Sequence, residues 1–359
     1  MLAHEPNKTK AQDYSVKLAR NVPYGPICKD DFIIGAIEKP SIEQVKDNQV
    51  LVKTMYLSCD PYLRERMAGL HENFVSKFKA GESIESIGIG MVEYSRSPGL
   101  AKGDYVLAGQ FPWEGVLIFD CQQLTKLRVD SGISVMDYMG VLGMTSFSAY
   151  IGFCGLSRAK AGETILVTSA AGAVGQAVVQ LAKARGLRVV GVAGSDEKVA
   201  FVKSLGADAV FSHKTCSDPL AAINKAAPDG VDIYFDNVGG EYLDAAISAM
   251  NLNGRIIACG MISQYNVLRE KKYRVGNLMD VVTKRLEFIG FIVSDHYSKP
   301  IYQEFVQEVL ALVKEERFKI KFDITRGLEN GPQKIMDLFE GTNFGKSVIR
   351  VDEDMHSQL

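Results

Sequence analysis

A chain of 359 residues is long for a single hydrophobic core, so two domains are the default. Apolar residues make up 47%, and 41 basic against 43 acidic side chains leave a net charge of −2, which gives no electrostatic reason to expect nucleic acid or an anionic membrane as partner. No apolar run reaches the ~18 residues needed to cross a bilayer, and the first eight residues lack a hydrophobic signal segment, so a cytoplasmic protein is expected.

The first dozen residues are polar and read as a loose arm. Short β-like runs follow at 32–37, 49–56, 87–94, 104–108 and 113–119, separated by turn residues, as in a small all-β barrel-like unit. The stretch 140–150 changes character and reads as a helix entering a second domain. There strands at 165–167, 188–193, 209–211, 231–236, 254–259 and 285–293 alternate with helical patterns at 176–183, 196–205 and 241–250, which predicts a parallel, doubly wound sheet. An amphipathic helix at 301–316 precedes a tail of strand 319–322, helix 328–340 and strand 346–351, expected to return to the first unit. The expected division is 1–141 with 319–359 as one domain and 142–318 as the other. The final Ser357-Gln358-Leu359 resembles a peroxisomal address only distantly, because its middle residue is not basic.

The most informative segment is Ala170-x-Gly172-x-x-Gly175, set between the strand 165–167 and a helix. Strand, small-residue turn and helix let a dinucleotide pyrophosphate approach the backbone at a helix N-terminus. The second strand ends Ala193-Gly194-Ser195 without the carboxylate that holds the ribose 2′-hydroxyl of NAD. Lys198 follows within one helical turn, and the pairing of missing carboxylate and nearby cation favours the 2′-phosphate of NADP. The alternative is a solvated surface lysine.

These landmarks, with Asp60-Pro-Tyr-Leu-Arg-Glu-Arg-Met67, Gly143-Met-Thr145, Gly194-Ser-Asp-Glu-Lys198, Phe235-Asp-Asn-Val-Gly-Gly-Glu241, Gly260-Met-Ile-Ser-Gln-Tyr-Asn266, Gly290-Phe-Ile-Val293 and Gly341-Thr-Asn-Phe-Gly-Lys346, resemble the zinc-free medium-chain dehydrogenase/reductases over nearly the whole chain. The likeness is strongest to leukotriene dehydrogenases, prostaglandin reductases and plant alkenal double-bond reductases. It implies an α/β protein: a GroES-like β-barrel catalytic domain plus a doubly wound parallel-sheet Rossmann domain, with the active site between them. It also implies NADP(H) and, frequently, a homodimer. Carried onto this sequence, Gly172, Ala173, Val174 and Gly175 would hold the pyrophosphate and Lys198 the 2′-phosphate. His213 stands beside that phosphate, where the family often has Tyr. Asn237 would sit near a ribose. Cys259, Gly260, Met261, Ile262, Ser263 and Tyr265 would line the adenine-to-ribose path. Phe291, Ile292 and Val293 would contact the nicotinamide amide, and Asn343 would close over that end.

Six cysteines (Cys28, Cys59, Cys121, Cys154, Cys216, Cys259) are scattered without C-x-x-C spacing and read as free thiols. Cys59 falls where zinc relatives place a first ligand, but no Gly-His-Glu follows it, and His71 has no plausible cysteine partner, so no metal is expected. Without a Lewis acid, a conjugated enal or enone suits the site better than a simple alcohol. Hydride addition at the β-carbon moves charge to the carbonyl oxygen, where hydrogen-bond donors can hold it. Tyr265, just beyond a strand's C-terminal end, is the first candidate for an orienting and proton-relaying hydroxyl; it could equally only pack on the cofactor. Tyr62 either walls the substrate pocket and contacts the carbonyl or is a structural turn aromatic. Competing readings are quinone reduction or lipid or allylic alcohol oxidation on the same scaffold, and a non-catalytic NADPH-binding protein.

Overall fold

The computed structural model describes residues 12–70, 76–129 and 132–351. The expected N-terminal arm, His71 and the C-terminal tripeptide lie outside the described residues.

The first part of the chain builds an antiparallel unit: β1 (Gln12–Leu18), β2 (Phe32–Glu38), β3 (Gln49–Ser58), α1 (Tyr62–Ala68), β4 (Glu85–Ser95), β5 (Tyr105–Pro112), β6 (Val116–Asp120) and β7 (Thr125–Lys126). β3 is its spine, pairing with both β4 and β6. Trp113 fills the core beside Phe111 and Phe119, and its indole N–H donates to Ser86 Oγ at 2.9 Å. A buried indole needs such a partner, because an unpaired N–H there costs about 1–3 kcal/mol.

After α2 (Met144–Tyr150) and one π-helical stretch (Ile151–Leu156), strands and helices alternate. They are β8 (Thr164–Val167), α3 (Ala173–Ala184), β9 (Arg188–Ala193), α4 (Asp196–Ser204), β10 (Ala209–Ser212), α5 (Pro219–Ala226), β11 (Val231–Asp236), α6 (Gly240–Ala249), β12 (Met250–Ala258), α7 (Met279–Thr283) and β13 (Glu287–Gly290). The six strands form one parallel sheet in the order β10-β9-β8-β11-β12-β13. Helices cover both faces, which is why β8 is buried at every position and reads as a continuous apolar run. Strand order reverses between β8 and β11, and a crevice opens outside the carboxyl ends of strands at such a switch point.

The chain then runs through α8 (Pro300–Lys314) and returns: β14 (Phe322–Arg326), α9 (Gly331–Glu340) and β15 (Lys346–Arg350). β15 pairs antiparallel with β3 and parallel with β14, so the tail completes the first sheet. The strand expected at 319–322 differs: β14 begins only at Phe322. Residues 319–321 pair instead with side chains of α3. Gln180 accepts from the Lys319 amide at 2.9 Å and donates to its carbonyl at 2.8 Å; Gln176 accepts from the Lys321 amide at 2.8 Å. The run 285–293 is likewise shorter as a strand, and residues 291–293 lie beyond its end. Tyr62, for which a structural turn is one of the two sequence readings, is the first residue of α1.

Candidate active site

The crevice at the switch point widens into a cavity of about 1540 Å³ between the two sheets. That exceeds the roughly 300–1,000 Å³ of an ordinary small-molecule site. All of the expected site residues line it except Met261.

The floor is the turn from β8 to α3. Ser169 takes φ +50°, and its carbonyl accepts from the Gly172 amide at 2.9 Å. A Cβ on Gly175 would stand 2.2 Å from the Ser169 carbonyl oxygen, so only glycine lets helix and strand meet this closely. A Cβ on Gly172 would lie 2.8 Å from Ser169 Oγ. No side chain caps α3, which leaves its first-turn amides, at Ala173, Val174 and Gly175, to an external acceptor. The backbone thus fits a pyrophosphate.

Three basic side chains gather at the end of β9. Lys198, half-buried, donates from Nζ to the Gly341 carbonyl at 2.7 Å, tying α4 to the turn after α9. Burial and then neighbouring Lys214 lower its pKa. Burial also lowers His213, with Lys214 and Lys198 adding to the effect, so the imidazole is neutral at pH 7. Two ammonium groups and an imidazole held together at this cost suit a phosphate dianion. Lys214 was not singled out from the sequence; it reads as one more surface lysine until folding brings it to Lys198.

On the other side of the switch point, the buried Asp236 carboxylate accepts from the Val238 amide at 2.9 Å, the Gly239 amide at 2.8 Å and the Tyr234 hydroxyl at 2.7 Å. Burial raises its pKa. This fixes the turn carrying Asn237, whose side chain donates to the Thr168 carbonyl at 2.8 Å. The loop after β12 leans on the same turn: the Cys259 and Gly260 amides donate to the Asp236 carbonyl, and Ser263 Oγ donates to the Val238 carbonyl at 2.6 Å. Ile262 begins its short 3₁₀ turn. Met261 turns its side chain against the core around Leu166 and Tyr242, and its amide donates to the Tyr265 hydroxyl at 3.1 Å. Burial raises the Tyr265 phenol to about 12. Tyr62 opens α1 on the facing wall, and burial, then Asp60, push its hydroxyl up strongly.

Phe291, Ile292 and Val293, just beyond the end of β13, also line the cavity, as does Asn343 from the segment before β15. Tyr138, Tyr297, Tyr302, Leu127, Leu142 and Val306 add apolar and aromatic surface to the lining. None of these was singled out as a site residue from the sequence, because single apolar or tyrosine positions carry no spacing signal.

Cys59 is buried beside the cavity, and burial drives its thiol pKa up. Its charged neighbours include Lys346, which bonds Asp60 at 2.5 Å and Ser58 Oγ at 2.6 Å. Among the described residues no group of three His, Cys, Asp or Glu side chains converges on a metal position, and no helix is long and apolar enough to cross a membrane.

Two family models match: one described as zinc-binding dehydrogenase over residues 173–315, and one described as the N-terminal domain of oxidoreductase over residues 16–127. The NADP(+)-dependent 2-alkenal reductase of Nicotiana tabacum is 43% identical over 309 residues, 86% of this chain and 88% of that protein. The (+)-pulegone reductase of Mentha piperita is 40% identical over 307 residues, 85% of this chain and 88% of the relative. The crystal structure of CurA from Vibrio vulnificus in complex with NADPH superposes with a TM-score of 0.86 at 32% identity, covering 95% of this chain and 99% of that one. The chain belongs to the medium-chain dehydrogenase/reductases, in the alkenal and prostaglandin reductase group.

Proposed function

We propose that this protein reduces the C=C bond of α,β-unsaturated aldehydes or ketones at the expense of NADPH. It is an NADP-dependent oxidoreductase, as its 2-alkenal reductase relative and the NADPH-bound structural neighbour indicate. The observation that carries the finer reading is the cavity itself. Its lining brings together the Lys198–His213–Lys214 cluster, the uncapped N-terminus of α3, apolar and aromatic side chains, and the two tyrosines Tyr265 and Tyr62.

When bound, the reduced nicotinamide supplies a hydride to the substrate β-carbon. The protein has four tasks. Lys198, Lys214 and His213 hold the 2′-phosphate, and Gly172 through Gly175 the pyrophosphate. Tyr265 keeps its proton at neutral pH, and its oxygen already accepts from the Met261 amide, so its O–H is left to donate to the carbonyl oxygen as negative charge develops there. Tyr62 closes the pocket from the other wall. The aromatic lining excludes bulk water, and the α-carbon takes its proton from Tyr265 or from a single water. The scheme calls for no zinc: among the described residues no group of three His, Cys, Asp or Glu side chains converges on Cys59.

Two copies are further inferred to pair through β13, the last strand of the parallel sheet. Its outer edge has no partner strand among the described residues, and Phe288, Leu278, Met279 and Val282 stand exposed along β13 and the helix before it.

The test is NADPH consumption at 340 nm against enals, enones, quinones and alcohols. Turnover confined to conjugated enals and enones, with the saturated carbonyl as product, is the expected result. Quinone or alcohol activity alone, or tight NADPH binding without turnover, refutes the proposal.

A further inference from the structure

Arg64 has no task in the scheme above, yet its side chain is completely buried. It lies on α1, two residues beyond Tyr62. Its guanidinium makes three hydrogen bonds: Nη1 to the Val22 carbonyl at 2.7 Å, Nη2 to the Gly25 carbonyl at 2.8 Å, and Nε to Asn266 Oδ1 at 2.8 Å. The first two fix Arg64 to the chain segment between β1 and β2. The third crosses to the loop after β12, on the parallel-sheet side of the cleft. Asn266 directly follows Tyr265. The same loop touches the same segment again, because Leu268 Cδ2 stands 3.2 Å from where a Gly25 Cβ would be.

We propose that Arg64 is a positioning residue: through Asn266 it holds Tyr265 in register with Tyr62 across the cleft. Tyr62 stands on α1, which follows β3 of the first sheet, and Tyr265 in the loop after β12 of the parallel sheet, so their separation depends on how the two halves of the molecule meet. Most of the described bonds of the 259–265 loop run to its own side, to Asp236, Asn237 and Val238. Those bonds set the loop's height on the parallel sheet but not its distance from α1. The Arg64–Asn266 bond does set that distance. It is a charge-assisted bond from a planar donor whose other two arms are already occupied, so its direction is fixed. A misplacement of about 1 Å at a reacting group can cost on the order of a hundredfold in rate. The inference rests on Tyr265 being the hydroxyl that holds the carbonyl oxygen.

A buried arginine is a poor first target, because its replacement strands two carbonyls and can prevent folding. Asn266 carries the test. Asn266→Ala removes the acceptor, and Asn266→Asp keeps an oxygen in place and pairs it with the guanidinium. Turnover on an enone, KM for the enone and the Kd for NADPH are measured for both, alone and combined with Tyr265→Phe, with melting temperature as the folding control. The expected pattern is a loss of kcat of about tenfold or more in Asn266→Ala with NADPH affinity within about twofold of the parent. Asn266→Asp recovers most of the rate. Adding Asn266→Ala to Tyr265→Phe costs little more, because both act on one interaction. If Asn266→Ala turns over at the parental rate while Tyr265→Phe is impaired, the positioning role falls and the tyrosine's role stands. If Tyr265→Phe turns over normally, the tyrosine reading falls and the positioning role with it. Losses that multiply in the double variant also overturn the proposal.

Discussion

Lys198 shows how one side chain can serve two interactions. Its ammonium bonds the Gly341 carbonyl, and burial and then repulsion from the nearby Lys214 charge lower its pKa. A bound 2′-phosphate relieves that repulsion, whereas a ribose hydroxyl does not. Lys198→Ala is therefore expected to weaken NADPH about 10- to 100-fold and to leave NADH nearly unchanged. Equal losses for both, in a titration of nucleotide fluorescence, would assign the lysine to the Gly341 tie alone. At Tyr265 burial acts on an acid, raising its pKa to about 12 and so favouring the protonated donor. Turnover should stay flat with respect to this group up to about pH 10 and fall only as the phenol ionises. Tyr265→Phe should lower kcat on enones at least tenfold, about 1.4 kcal/mol. The residues of the cavity differ in how far the sequence revealed them. Lys198 was legible because a missing carboxylate and a nearby cation lie close in the chain. Lys214 and Tyr297 were not, since their neighbours in the cavity come from distant segments.

At the scale of elements, the β8–α3 turn was the clearest part of the sequence, and its requirement is steric. The missing Cβ of Gly175 is what brings the helix N-terminus against the strand end. Gly175→Ala would force the Ser169 carbonyl away and should cost NADPH affinity at least tenfold, about 1.4 kcal/mol. The stretch 319–322 illustrates the opposite case. Its local pattern reads as a strand, and its backbone is hydrogen-bonded as though in one, but the partners are glutamine side chains on α3. Nothing near 319 in the sequence announces this, because the partners lie far earlier in the chain, 139 positions in the case of Gln180 and Lys319. Removing both bonds with Gln180→Ala should lower stability by about 1–3 kcal/mol in urea unfolding. An unchanged midpoint would show that other contacts hold the segment.

For the whole molecule, the decisive feature is that the tail completes the first sheet. β15 lies against β3, so the chain leaves the antiparallel unit once and returns, and the cleft is bounded on both sides by the same continuous chain. At the far edge of the parallel sheet, β13 has no partner strand on its outer side among the described residues, and Phe288 is 45% exposed. An edge of this kind invites a second copy. If two copies pair here, Phe288→Lys is expected to abolish the dimer in sedimentation velocity while NADPH binding persists, since Phe288 is not among the residues that line the cavity. A monomeric parent protein would rule the pairing out.

Local sequence determined the parallel alternation of strands and helices, the nucleotide turn and the absence of a ribose-binding carboxylate. Each of these is written in residues adjacent along the chain, where periodicity and glycine placement act directly on the backbone. Only the tertiary structure decided which further side chains line the cavity with them: Lys214 near Lys198 and His213, and the aromatic residues Tyr138, Tyr297 and Tyr302. Those groups come from segments far apart in sequence. Their meeting depends on which buried surfaces and hydrogen bonds the two halves of the chain can satisfy together, and no local pattern encodes that.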